Sequence, residues 1–291
     1  MNFAELIPIA LKLSIILLVF SLGLRADWRD AISLLREPRL FFRSFLAMIV
    51  LMLAFVVAIA SFFDLQPAVK IAILALAVSP VPPLLPGKQE KAGGSASYAI
   101  GLLVAAALAT IVLMPLLVDL LGRYFHADAH MRIRDVASIV IVMIIGPLAA
   151  GMGVRQIAPE FAERIVKPVS MFANVLLILV VLPVLFNLSQ TIWGMIGHGV
   201  LAVLALFTLV GIAIGHLLGG PNPDDRTVLA LATGTRHPGL AMAIAGANFP
   251  DQKGVVLAVV ACHVIVCLIL SIPYLTWRKR IHAASVARVQ P

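Results

Sequence analysis

Apolar runs of about twenty residues, the length that carries an α-helix across a bilayer, succeed one another along almost all of this 291-residue chain. Few folds are open to such a chain. In lipid, backbone N–H and C=O groups must be satisfied internally, so only helices and closed barrels span a membrane. Composition points the same way: 62% of residues are hydrophobic and 12% charged, against roughly 45–50% and 25% in soluble domains, and the mean hydropathy is +1.06. Barrel strands would alternate over segments of about ten residues, and no such alternation is present. The expected fold class is an all-α polytopic membrane protein, with the lipid bilayer as its first partner.

Nine transmembrane helices are expected, at about residues 4–24, 40–62, 69–91, 96–121, 136–154, 166–187, 198–218, 226–247 and 255–277. An odd number puts the termini on opposite sides. Fifteen basic residues, from Arg25 to the C-terminal Arg278, Lys279, Arg280 and Arg288, then share the side of the C-terminus. Five lie opposite: Lys70, Arg123, Arg132, Arg134 and Lys253. Basic loops stay inside, so the expected topology is N-terminus out and C-terminus in the cytoplasm, in a plasma or bacterial inner membrane. The same loops account for the net charge of +8 without any nucleic acid partner. The N-terminus lacks a basic n-region and a small-residue cleavage site and reads as a first span, not a signal peptide. Cys262 and Cys267 lie five apart on one expected helix, too far to bridge. Gly211, Gly215 and Gly219 form a small-residue stripe suited to close helix packing.

Two places break the apolar pattern. The first is Ala232-Thr-Gly-Thr-Arg-His-Pro-Gly-Leu-Ala241, which sets Arg236, His237 and Pro238 mid-way along an apolar span. A charge there costs about 2.5–3.5 kcal/mol on insertion scales and usually marks a buried or water-lined site. Proline removes a backbone donor, so a broken helix is expected near 234–239. The second is Ser79-Pro-Val-Pro-Pro-Leu-Leu-Pro-Gly-Lys-Gln-Glu-Lys91, where Pro80, Pro82, Pro83 and Pro86 cannot continue a helix. Proline suits a first helical turn, however. Hydropathy leaves two readings open: a half-helix starting near Pro82, or a span ending at Pro86 followed by a loop.

A repeat favours the half-helix. From Pro80 to the next span's start near Tyr98 is 18 residues, and from Pro238 to Val255 is 17. Spans 1–4 thus resemble spans 6–9, and an offset of five spans inverts one relative to the other. Interrupted segments at corresponding positions in two inverted halves point to a transporter's binding site. The expected organisation is a first repeat at 1–122 with span 3 broken near 80–87, a linker with the unpaired span 5 at 123–164, a second repeat at 165–280 with span 8 broken near 234–239, and a tail at 281–291.

The chain resembles the bile acid:sodium symporter family, and more distantly arsenite exporters and auxin carriers. Leu18-Val-Phe-Ser-Leu-Gly-Leu24 with Leu34-Leu-Arg-Glu-Pro38 is similar to the family's first-repeat signature. Ser79-Pro80 stands where the family has a Cys-Pro-Gly-Gly crossover. Gly234-Thr-Arg-His-Pro-Gly-Leu-Ala241 matches the frame of its Gly-Met-Gln-Asn-Ser-Gly-Leu-Ala motif. His263 aligns with a histidine of the final helix. The resemblance covers about residues 11–277. It implies a panel domain (spans 1, 5 and 6), a core domain holding two crossed, broken helices, and substrate bound between them during alternating access.

The resemblance also exposes departures. Family sodium ligands include a glutamate before the second crossover and a glutamine within it, where this chain has Ala232 and Arg236. The serine and asparagine of the first crossover fall on Leu85 and Pro86. At about 4 Å and an effective dielectric near 20, a fixed arginine repels a cation by about 4 kcal/mol. The expectation is a secondary active transporter of a small organic anion, without the family's sodium and with no cofactor. Arg236 supplies the positive charge, helped by Lys88 and by two half-helix N-termini. Expected binding or crossover residues are Ser79, Pro80, Pro82, Pro83, Lys88, Thr233, Gly234, Thr235, Arg236, His237, Pro238 and Gly239. Proton-coupling candidates are His237, whose imidazole titrates near 6.5 when unperturbed, then Glu90 and His263. A structural alternative for Arg236 is a partner of Glu90 or of backbone carbonyls. One functional alternative is a sodium-coupled bile acid or organic-anion symporter with displaced ion sites. An intramembrane enzyme would need motifs such as His-Glu-x-x-His or Gly-x-Ser-x-Gly, which are absent, and a channel would use symmetric rings from an oligomer.

Overall fold

The computed structural model describes residues 3–195 and 199–289, and among these it is helical with no strand. The helices in order are α1 (Phe3–Gly23), α2 (Trp28–Ala31), α3 (Pro38–Phe45), α4 (Met52–Phe62), α5 (Pro67–Val78), α6 (Leu85–Lys91) and α7 (Ala96–Tyr124). There follow α8 (Ile133–Val140), α9 (Gly146–Ile157), α10 (Pro159–Met195), α11 (Val200–Leu218), α12 (Pro223–Gly234), α13 (Pro238–Asn248) and α14 (Lys253–Val289). A π-helical turn, Leu46–Leu51, joins α3 to α4, and another, Ile141–Ile145, joins α8 to α9.

Seven helical stretches among the described residues are long and apolar enough to cross a bilayer: Leu6–Gly23, Pro38–Phe62, Ala96–Tyr124, Ile133–Ile157, Pro159–Gly194, Val200–Leu218 and Pro250–Ala283. The other two expected spans are not continuous helices. Residues 67–91 divide into α5 and α6, and residues 223–248 into α12 and α13. Helix α14 runs on to Val289, so most of the expected tail continues it; residues 290 and 291 lie outside the described ones.

Local chemistry explains where each piece starts and stops. Pro67, Pro86, Pro223 and Pro238 all sit in first turns, where the missing N–H costs nothing and φ is already helical. The Asn222 side chain caps α12 by accepting from the Asp224 N–H at 3.0 Å. After α6 the chain turns through Gly93 at φ +81°, while the Gly94 N–H closes back on the Gln89 carbonyl. The Ser95 hydroxyl then caps α7.

The broken segments lie inside the protein. Helix α12 is buried from Thr227 to Gly234, and α5 is buried over most of its length. Helix α5 packs on α13, and α6 packs on α12, so each half-helix lies against the opposite segment. Helices α1, α9 and α10 pack together, and α10 also packs on α14.

The α11 glycines are what let α12 reach this position. A Cβ at Gly211 would stand 2.7 Å from Gly234 Cα, one at Gly215 2.4 Å from the Leu229 carbonyl oxygen, and one at Gly219 2.4 Å from Arg226 Cα. These contacts are with backbone, which cannot move aside as a side chain would. The stripe read from the sequence is the seam that holds α12 against α11. Gly215→Ala is expected to cost about 1–3 kcal/mol, as overpacking does, and to lower the apparent melting temperature in detergent. Gly254→Ala, where a Cβ meets nothing within 4 Å, is the matched control and should leave it unchanged or raised.

Candidate functional site

The two breaks meet each other. Helix α5 ends at Val78, and Ser79 turns extended with φ −78° and ψ 148°. The prolines Pro80, Pro82 and Pro83 carry the chain to Leu85, where α6 begins. Helix α12 ends at Gly234, Thr235 is extended, and His237 caps α13. The His237 backbone N–H donates to the Pro80 carbonyl at 2.9 Å. Its ring Nδ1 accepts from the Leu240 N–H at 3.3 Å, which leaves the ring proton of a neutral His237 on Nε2.

Arg236 ties the crossing to a third element. Its Nη1 donates to the Ser79 carbonyl at 3.3 Å and its Nη2 to the Met48 carbonyl. Met48 lies in the π-helical turn Leu46–Leu51, where the Met52 N–H bonds to Ala47 and Ile49. A regular α-turn would give the Met52 N–H to Met48. The π-turn withdraws it, and the released carbonyl receives the guanidinium. Arg236 is 2% exposed, and among the described residues no carboxylate pairs with it.

A cavity of about 140 Å³ opens beside the crossing. Arg236, Thr235 and Pro238 line it from one break, Pro82 and Lys88 from the other, and His263, Cys267 and Ser271 from one face of α14. Lys88 is exposed at its edge, and no carboxylate is among its described lining residues. Arg236 Nε, His237 Nε2, Gln89 Oε1 and both ring nitrogens of His263 are buried and, among the described residues, have no hydrogen-bond partner. Buried polar atoms are rarely left so. A larger cavity of about 370 Å³, lined by apolar side chains with Lys70, lies elsewhere along α5 and touches neither break.

The other sequence-derived positions take supporting places. The Ser79 hydroxyl bonds back to the Leu76 carbonyl and Thr233 to that of Leu229, both at 2.8 Å. Pro83 is buried in the first break. Gly234 offers its carbonyl to Cys267 Sγ at 3.7 Å, and Thr235 Oγ1 meets the same sulfur at 3.3 Å. Gly239 lies beside the His237 ring. Glu90 is exposed and outside the cavity lining. Four partners were given no role in the sequence analysis. The Met48 carbonyl had no signal at all. Cys267 and Ser271, four and eight residues after His263, form with it a polar stripe that helical spacing could have revealed. Gln89 links the two broken segments, its Nε2 donating to the Val228 carbonyl at 2.7 Å.

These features define a polytopic helical membrane protein with two interrupted segments joined at a polar, charged crossing. The sequence pattern of the Sodium Bile acid symporter family matches residues 12–194, more than half of the chain. The chain belongs to that family, and is a transporter of the bile acid:sodium symporter type. Among individually curated proteins none matches it. The family match ends before α11, and so before the segment that carries Arg236.

Gln89→Leu removes the side-chain bridge between α6 and α12. One net hydrogen bond is worth about 0.5–1.5 kcal/mol, so a modest fall in melting temperature is expected. Faster hydrogen exchange should be confined mainly to residues 85–91, since α6 is short and leans on this bond.

Proposed function

We propose that this protein is a secondary transporter of a small organic anion in which Arg236 takes over the work of sodium. The observation that carries this is a buried guanidinium with no carboxylate partner among the described residues, at the wall of a cavity whose described lining residues include Lys88 and no acid. Buried charge needs an opposite charge, and among the described residues none is supplied. The substrate anion does.

Sodium does not fit this arrangement. It would need oxygen ligands, and the Ser79 and Met48 carbonyls are held by a guanidinium. A second cation there would meet repulsion of about 4 kcal/mol at 4 Å. Transport then proceeds by uniport, exchange or proton coupling. Of the three titratable candidates His237, Glu90 and His263, only His263 lines the cavity. His237 Nδ1 caps α13, so a proton there would cost that cap.

In this reading the chain consists of two inverted repeats forming nine spans. The grouping of α1, α9 and α10 supports a panel that rocks against a core containing both breaks, exposing the cavity alternately to either side of a plasma or bacterial inner membrane. The N-terminus is outside and the C-terminus in the cytoplasm. Sodium-coupled symport with displaced ion sites remains the reading favoured by family membership alone.

The test is uptake of radiolabelled carboxylates into proteoliposomes with and without a sodium gradient. Equal uptake under both conditions is expected. Arg236→Gln, which keeps a polar side-chain donor without the charge, should fold and lose at least tenfold in uptake. Strict sodium dependence would overturn the fixed-cation reading, and full activity of Arg236→Gln would return Arg236 to a purely structural role.

A further inference from the structure

The cavity of about 370 Å³ away from the crossing has no part in the transport reading. One whole face of α5 lines it: Pro67, Lys70, Ile71, Leu74, Ala75 and Val78. Their spacing of three and four residues is that of a single helical stripe. Leu121 of α7, the following Phe125 and Ile244 of α13 form facing walls. The space is therefore a slot along the length of α5, from exposed Pro67 to buried Val78. At 1.5 Å per residue that length is about 17 Å.

Such a slot needs an occupant. Protein interiors are packed as closely as organic crystals, and the lining of a void forfeits its dispersion contacts. Water fills an apolar cavity poorly, since it needs several polar partners. A hydrocarbon chain suits both shape and size. The hydrocarbon core of a bilayer is about 30 Å thick, so a chain of one leaflet reaches about 15 Å, close to the length of the slot. A cavity of about 150 Å³ takes benzene; by that measure 370 Å³ takes about fifteen non-hydrogen atoms, one acyl chain and not two.

The mouth of the slot carries charge. Lys70, one turn into α5 and half-buried, is the only charged side chain among the described lining residues. Arg123, near the end of α7, is held by Asp119 at 2.8 Å. Lys70 has no carboxylate partner among the described residues. No side chain caps the start of α5, and a helix start favours a negative group. Basic pockets between membrane helices take anionic headgroups.

We propose that this slot is a binding site for one anionic phospholipid, with one acyl chain along α5 and the phosphate at Lys70. The second chain stays in the bilayer. On the topology proposed above, the lipid belongs to the outer leaflet. Its tail packs behind the helix that delivers Ser79 to the crossing, and so supports the first break. The site is separate from the cavity beside Arg236 and does not depend on what is carried there.

The full-length protein, stripped of lipid in detergent, is titrated at low salt with dioleoyl phosphatidylglycerol or dioleoyl phosphatidylcholine, and bound lipid is counted by native mass spectrometry. One phosphatidylglycerol is expected to bind at least about fivefold more tightly than phosphatidylcholine, the gain one lysine confers near a charged headgroup. Its binding should raise the apparent melting temperature. Dihexanoyl phosphatidylglycerol, which has the headgroup without the long chains, should not compete. Lys70→Gln should bring the two long-chain lipids to equal affinity by weakening only the anionic one. Leu74→Trp, which puts a larger ring into the slot and keeps Lys70, should weaken both. Equal affinity for the two lipids in the unaltered protein overturns the site without recourse to any variant, and so does a Lys70→Gln protein that keeps the preference. Competition by the short-chain lipid, or full binding by Leu74→Trp, overturns the role of the slot. Displacement of phosphatidylglycerol by an equal concentration of oleate makes a free fatty acid the occupant and overturns the phospholipid assignment.

Discussion

A helix broken inside a bilayer strands backbone groups that lipid cannot satisfy, each at a cost of several kcal/mol, and this structure is arranged around meeting that demand. The two breaks answer each other: the His237 N–H takes the Pro80 carbonyl, and the Arg236 guanidinium takes that of Ser79. Proline reduces the demand further, since Pro80, Pro82, Pro83 and Pro86 bring no donors into the first break. The remaining requirement is proximity. Gly211, Gly215 and Gly219 provide it by letting α12 lie directly on α11, with the crossing held between α11, α14 and α5. Packing, backbone chemistry and site geometry are thus one problem with one solution.

Both interruptions were readable from residues alone, because proline and arginine in an apolar run are costly enough to require a reason. The α11 stripe was readable too, although its partner was not. The start of the half-helix was expected near Pro82 and lies at Leu85. Pro82 precedes another proline, which disfavours helical backbone, so the helix forms only after the pair has passed. The π-turn at Leu46–Leu51 left no trace in the sequence, since a run of Leu, Ala, Met, Ile and Val suits an α-turn or a π-turn equally. Its purpose is visible only from the other side of the crossing, where Arg236 needs a carbonyl.

Among the described residues, length and hydropathy give seven helices able to cross a bilayer, where the residue pattern suggested nine. The two interrupted segments, 67–91 and 223–248, are not among the seven. Short pieces such as α6, seven residues long, cannot register as spans by length. Among the described residues, the same segments hold the unpaired buried side-chain atoms, apart from those of His263 on α14. The regular helices form the frame, and the unusual chemistry collects where regularity stops.

The guanidinium at the crossing is covalently part of the chain, and that has an energetic consequence. A bound sodium ion leaves with its cargo and brings the energy of its gradient; a tethered cation returns with the empty carrier and contributes none. A monoanion crossing alone on such a carrier moves one net negative charge per cycle. Across 100 mV, negative inside, that is worth roughly 2.3 kcal/mol, on the order of fifty-fold in the ratio of anion concentrations, and it favours the outer side. Exchange of one anion for another escapes the penalty. So does entry with a proton. On the proposed fixed-cation reading, uniport is therefore the mode in which membrane voltage sets the direction of net flow.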